Sequence, residues 1–230
     1  MLGSGRPRAA TPLWLDLPPT TVTSILFLNG RQKHLSLLLP RLGKKEFLAM
    51  NPQPIHPSYT VGDHEAFMGY AAKQAQKSPP APNKFCVGAV LVDADKGKVL
   101  STGYSLEYPR DYKGDPGTTH AEQCCFIKIA DKYNLPEERI GEVLPSNTVL
   151  YTTMEPCNER LSGNMTCATR ILRLNGAIKT VYVGIKEPGT FIAHNDGQER
   201  LEAHGVKVVY PVEHMRDMLT KISMAGHADP

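Results

Sequence analysis

Four residues of this 230-residue chain carry groups that together could activate water: His120, Glu122, Cys157 and Cys167. One imidazole and two thiolates form a donor set that suits zinc, and the two thiolates cancel the charge of Zn2+. Three protein ligands leave a fourth tetrahedral position for water, the arrangement of a catalytic rather than a structural site. Water held there ionises near neutral pH. Glu122 stands two residues past His120, too close for a comfortable fourth ligand yet able to lean over the open position, so its expected role is that of a proton shuttle. Taken singly, each residue has a plainer reading: a lone buried Cys is a small hydrophobe, and a lone His is a surface or core residue. The joint pattern points to a metal site.

The elements that must position these groups follow from local patterning. Residues 63–78 (DHEAFMGYAAKQAQKS) read as a helix, with Asp63 as its N-cap and Pro79 and Pro80 as its stop. FCVGAVLVD and KVLSTGYS read as two strands joined by a turn at Asp95 to Gly97. A helix is expected over 118–133, opened by Thr118 and Thr119, then a strand over 147–154 and a helix over 167–175 ending at Asn175 and Gly176. TVYVGI, QERLEAHG and VKVVYP follow as strand, helix and strand, and residues 212–224 close the pattern as an amphipathic helix. Alternating strands and helices predict a layered α/β domain whose sheet becomes parallel late in the chain. His120, Cys157 and Cys167 then all fall near helix N-terminal ends, where the helix dipole lowers a thiol's pKa and prepares it for a metal. Cys86, Cys124 and Cys125 lie within a strand or helix and are expected to pack in the core.

The length permits one good core plus a tail. The net charge of +3 is misleading, because residues 1–50 hold seven of the 26 Lys/Arg but only Asp16 and Glu46 of the 23 acidic residues. The remainder, with 19 basic and 21 acidic residues, is at −2 and lacks the basic stripe of a protein that tracks a phosphate backbone, so no nucleic-acid partner is expected. No apolar run approaches the ~20 residues that span a bilayer, so no membrane partner is expected either. Five cysteines are an odd number without the density of a secreted disulfide scaffold, which favours a reducing, cytoplasmic setting. Residues 1–60 are broken by proline and read as a disordered N-terminal tail, with the folded domain over 61–230. An Arg-rich, acid-poor start also fits a mitochondrial transit peptide, and Met50 an alternative start.

HAE followed by PC matches a known zinc-deaminase signature, H-x-E with P-C-x-x-C, in which the Glu is general acid and base. The departure lies between the thiols: CNERLSGNMTC places nine residues there instead of two, so residues 158–166 must bulge outward, and without Cys167 the site has two ligands. The segments PNKFCVGAVLV, GYSLEYP, GTTHAEQCC, LYTTMEPCNERLSGNMTC, VYVGIKEPGTF and LEAHGVKV, spanning residues 82–208, resemble the cytidine deaminase superfamily. The RLSGN loop and the EPGTF segment resemble its riboflavin-biosynthesis branch of fungal type.

That resemblance implies a three-layer α/β/α cytidine-deaminase-like fold with a central mixed sheet of about five strands, and a Zn2+ cofactor. It also implies hydrolytic removal of ammonia from a small-molecule pyrimidine phosphate, 2,5-diamino-6-ribitylamino-4(3H)-pyrimidinone 5′-phosphate. Asn83 is expected to touch the sugar or ring edge, and Arg160, Ser162, Gly163 and Asn164 the ribityl chain or phosphate; a turn at Asn83 and a purely structural loop are the competing readings. A homodimer is expected by analogy. Neither the reductase nor the pseudouridine synthase fused to some relatives is expected within these residues. Three rivals stay open: a deaminase of deoxycytidylate or of a tRNA adenosine, a catalytically silent partner subunit, and a structural zinc module closed by His194 or His204. A basic fold, loss of the shuttle carboxylate, and a fourth ligand would mark them respectively.

Overall fold

A computed structural model of the chain describes residues 22–28, 31–37, 55–191 and 195–227. The chain divides into two units, Met1–Pro54 and Ile55–Pro230. In the first, β1 (Val22–Leu28) and β2 (Arg31–Leu37) pair antiparallel, from Val22 opposite Leu37 to Leu28 opposite Arg31. The expectation of a structureless tail over residues 1–60 falls mostly on residues outside the described ones, and this hairpin is where the two differ. The residues between the strands are Asn29 and Gly30, a dipeptide strongly favoured in two-residue hairpin loops. The second unit begins at Ile55, and Ser58 pairs with Lys98.

The second unit is built on a five-stranded sheet in the order β4-β3-β5-β6-β7, comprising β3 (Gly88–Asp93), β4 (Lys98–Tyr104), β5 (Thr148–Met154), β6 (Ile178–Ile185) and β7 (Lys207–Val209). β3 runs antiparallel to β4 and β5, whereas β5, β6 and β7 are parallel. Side chains alternate between two faces along each strand. Ala89, Leu91, Leu150, Val181 and Val183 pack in one core with α2 (Ala121–Tyr133), α3 (Cys167–Arg173) and α4 (Gly197–Ala203). Val90, Val92, Val149 and Tyr151 pack in the other with α1 (His64–Ala75) and α5 (Arg216–Ser223). With helices on both faces, β3 and β5 are buried along their whole lengths. The expected three-layer α/β/α arrangement around a mixed five-stranded sheet is what the chain forms. No helix among the described residues is long and apolar enough to cross a membrane.

Local chemistry sets the element ends. The Asp63 carboxylate caps α1, accepting the Ala66 N–H at 2.9 Å. α2 starts three residues later than expected: Thr118 and Thr119 lie outside it, and His120 holds the N-cap without a side-chain cap bond. Thr119 is used instead to pin the preceding loop, its Oγ1 accepting the Tyr108 N–H at 3.3 Å. α3 stops where Asn175 and Gly176 turn left-handed, at φ 52° and 75°. The last helix is shorter than expected, since Glu213–Met215 form a 3-10 turn ahead of α5. All five cysteines are free and buried.

One close approach fixes the depth of α2 on the sheet. A Cβ on Gly103 would lie 2.1 Å from the Ala121 carbonyl oxygen and 2.8 Å from the Cys124 Cβ, so only glycine lets the first turn of α2 sit against β4. That turn carries Glu122.

Candidate active site

The three donors expected from sequence are brought together by the ends of three elements. β5 finishes at Met154 and releases Glu155, Pro156 and Cys157 at its carboxyl end, the edge at which parallel sheets bind ligands. Cys167 opens α3, whose cap Thr166 accepts the Thr169 N–H at 3.3 Å, and His120 caps α2. The chain between the thiols closes on itself: the Ala168 N–H donates to the Cys157 carbonyl at 3.1 Å, and the Cys167 N–H to the Cys157 Sγ at 3.4 Å. Residues 158–166 therefore leave and re-enter at one neck, and the nine-residue spacing does not separate the sulfurs.

His120 Nδ1 lies 3.5 Å from both the Cys157 and Cys167 sulfurs, and the three donor atoms are all within 4.8 Å of one another. A tetrahedral zinc with bonds of about 2.3 Å to sulfur and about 2.0 Å to nitrogen requires sulfur-to-nitrogen edges of about 3.5 Å. The donors are thus spaced for zinc. Cys157 is held well below the usual thiol range by a hydrogen bond from the Cys167 thiol, against the opposing effect of burial, with His120 and the α3 amide adding to the effect. Among the described residues no further His, Cys, Asp or Glu completes the cluster. His204 is exposed and its Nδ1 bonds the Arg200 carbonyl of its own helix, and His194 lies outside the described residues.

Glu122 is 3% exposed, and its Oε2 sits 3.4 Å from the Cys167 Sγ. Burial pushes its carboxyl above the usual range, and the neighbouring His120 only partly opposes this. A carboxyl so placed can hold and release a proton beside the metal donors.

His120, Glu122 and Cys157 form part of the wall of a cavity of about 370 Å³. Of the residues expected to meet a substrate, Asn83, Arg160 and Ser162 line it, but Gly163 and Asn164 do not. Gly163 takes φ 76° and donates to the Arg160 carbonyl at 3.0 Å, a turn position. Asn164 is buried with its Oδ1 accepting from the Met165 N–H at 2.7 Å and from Arg170 at 2.9 Å, so it holds the loop rather than facing the cavity. Arg160 lines the wall while its guanidinium donates to the Thr118 carbonyl, which ties the loop to the approach to α2.

Several wall residues were not anticipated. Phe85 and Phe191, with ring centroids 4.9 Å apart, form an apolar side, and Lys84, Glu155 and Glu187 add charge. Burial, reinforced by the nearby Cys157, pushes the Glu187 carboxyl up to about 7. Glu187 is joined to the Glu155 segment: its N–H donates to Glu155 Oε2 at 3.4 Å, and its own Oε2 accepts from Asn195 at 2.8 Å. The available signal was positional, since Glu155 stands one residue and Glu187 two residues past the carboxyl ends of parallel strands.

Residues 61–185 match the sequence profile of the cytidine and deoxycytidylate deaminase zinc-binding region. The chain is 34% identical over 165 residues to a diaminohydroxyphosphoribosylamino-pyrimidine deaminase of Schizosaccharomyces pombe. That alignment covers 72% of this chain but 36% of the yeast protein, so the chain spans about a third of its curated relative. A crystal structure of the Aspergillus oryzae Rib2 deaminase, a C-terminal deletion mutant at pH 4.6, superposes with a TM-score of 0.61 at 39% identity, covering 72% of this chain and 93% of that one. The same mutant in complex with DARIPP at pH 6.5 gives 0.60 at 38% identity, covering 71% and 91%. With the donor geometry, the cavity and these matches in agreement, the chain belongs to the cytidine and deoxycytidylate deaminase zinc-binding family.

Proposed function

We propose that this chain is a zinc-dependent hydrolytic deaminase acting on 2,5-diamino-6-ribitylamino-4(3H)-pyrimidinone 5′-phosphate, with residues 61–230 as its deaminase domain. The observation that carries the reading is the placement of the buried Glu122 carboxyl beside the His120, Cys157 and Cys167 donors, with Glu122, His120 and Cys157 on the wall of one cavity. The name of the S. pombe relative and the DARIPP complex of the A. oryzae enzyme support the substrate class. A volume of about 370 Å³ falls in the ~300–1,000 Å³ range of small-molecule sites.

His120, Cys157 and Cys167 would hold zinc, which when bound supplies a Lewis acid that lowers the pKa of water. Glu122 takes a proton from the attacking water as its oxygen bonds to the amine-bearing ring carbon. It passes that proton to the ring nitrogen and the second water proton to the amine, so the C–N bond breaks, ammonia leaves and a ring carbonyl remains. A carboxyl pushed upward by burial holds a proton more readily than an exposed one, as this two-way transfer requires. Phe85 and Phe191 hold the ring in an apolar slot, Asn83 meets its edge, and Lys84 and Arg160 supply positive charge for the phosphate, with Ser162 beside them. Pairing of two copies and residence in the cytosol belong to the same proposal, read out by sedimentation and by cell fractionation.

The test is ammonia release from this substrate and from deoxycytidylate, with zinc-loaded and metal-stripped protein. The expected result is turnover of the first compound only, abolished by stripping and restored by zinc. Turnover of deoxycytidylate instead overturns the substrate, and silence toward both overturns the catalytic reading.

A further inference from the structure

We propose that Asp115 is a positioning residue that sets the spacing of the two helix ends carrying the metal donors. The inference rests on the metal-site reading above. A single carboxylate oxygen, Asp115 Oδ2, accepts a hydrogen bond from Gln123 Nε2 in α2 at 2.8 Å and another from Arg170 Nη2 in α3 at 2.9 Å. Gln123 stands three residues after His120, and Arg170 three residues after Cys167. Each donor to Asp115 is therefore about one helical turn from a metal donor, on the same side of its helix. The carboxylate ties the first turn of one helix to the first turn of the other, and those turns start at the residues bearing His120 Nδ1 and Cys167 Sγ, whose 3.5 Å separation the metal requires.

The partners have no alternative that would do the same work. Gln123 is fully buried and Asp115 is the acceptor for its amide N–H, so movement of α2 away from Asp115 would strand a buried donor. Arg170 is also nearly fully buried, but its other bonds run to Glu137, Asn164 and the Met165 carbonyl. Those bonds anchor α3 to the 3-10 turn Glu137–Glu142 and to the loop between the thiols, and none of them reaches α2. Among the described residues, Asp115 is the carboxylate that bonds to both Gln123 of α2 and Arg170 of α3. Its own side chain is 43% exposed, so its loss opens no core cavity, and Arg170 keeps Glu137 as a counter-charge.

The experiment measures zinc affinity by chelator competition, the visible absorption of the Co2+ form, and the metal-free melting midpoint. The proteins are the full chain, Asp115→Ala, Asp115→Asn, Gln123→Met and the Asp115→Ala/Gln123→Met double variant. Asp115→Ala is expected to weaken zinc binding about 10–100-fold, as loss of an outer-shell partner does, and to alter the Co2+ spectrum. Asp115→Asn, which keeps an acceptor oxygen, should recover most of the affinity. The double variant should bind zinc no more weakly than the worse single one, because both changes cut one bridge. Zinc affinity and Co2+ spectrum unchanged in Asp115→Ala, with only the metal-free midpoint lowered, would overturn the positioning role. Failure of the unaltered chain to bind one zinc, or binding indifferent to Cys157→Ser and Cys167→Ser, would overturn the metal site itself and the inference with it.

Discussion

Replacing Glu122 by Gln separates the chemistry of this carboxyl from its cost to the fold, because the two should respond in opposite directions. The side chain is 3% exposed and Gln matches its shape, so Glu122→Gln opens no cavity and leaves the first turn of α2 in place. Positioned proton transfer contributes ~10²–10⁴ in rate. At about 1.36 kcal/mol per decade, the variant should lose ~2.7–5.4 kcal/mol of transition-state stabilisation, with zinc still bound. Stability should move the other way in the metal-free protein. Burial holds the folded-state carboxyl above its ordinary pKa, so folding disfavours the ionised form. That penalty is absent below about pH 4, where folded and unfolded chains both carry the proton, and it grows as the pH rises through the folded-state pKa. Metal-free Glu122→Gln should therefore melt above the metal-free parent at about pH 8 and alongside it at about pH 4, with each kcal/mol relieved reading as ~2–4 °C. Ammonia-release kinetics on the zinc forms and calorimetry of the metal-free forms provide the two readouts. Activity within tenfold of the parent, or a melting advantage that shrinks as pH rises, would refute the reasoning.

Three further outcomes follow from the cavity and its supports. Glu187, neutral below about pH 7 and charged above it, should repel an anionic substrate as pH rises, so KM climbs through neutrality and Glu187→Gln flattens that climb; identical KM profiles would sink the assignment. Arg160→Ala removes a positive charge from the wall and the tie to the Thr118 carbonyl, and is expected to raise KM at least about tenfold, near 1.4 kcal/mol, with a smaller change in kcat. Gly103→Ala drives a Cβ into the Ala121 carbonyl and should cost ~1–3 kcal/mol in thermal melts while weakening zinc binding; an unchanged midpoint would show that α2 can lift off β4 freely.

His120, Glu122, Cys157 and Cys167 were legible in the sequence because metal chemistry restricts residue type so strongly that the pattern survives without coordinates. The layers were legible too, since the apolar alternation in GAVLVD and TVLYTTM and the helix stops at Pro79 and Asn175 are local signals. The cavity wall beyond Asn83, Arg160 and Ser162 was not. Phe85, Glu187 and Phe191 meet the metal donors only because β3 and β6 both flank β5, and alternation within a strand says nothing about which strands are neighbours. Asn164 misled for a different reason: a polar residue in a loop beside the thiols suggests contact with ligand, but the nearly buried Arg170 guanidinium needs acceptors and takes it. The start of α2 misled because Thr is the better cap by propensity, yet the cap position is the one from which His120 reaches the sulfurs. In the hairpin of β1 and β2, surrounding prolines outweighed the Asn-Gly dipeptide that signalled it.

The neck at Cys157 and Ala168 makes the segment between them interchangeable. Because the two ends of residues 158–166 are held together by their own backbone bond, extending such a segment from two residues to nine adds only about 1.3 kcal/mol of closure entropy and moves neither sulfur. A lineage can lengthen, shorten or rewrite this stretch, Arg160 and Ser162 included, and so change which molecule is admitted while inheriting the catalytic centre intact. Grafting loops of other lengths between Cys157 and Cys167 is accordingly a route to altered selectivity that leaves the metal donors where they are.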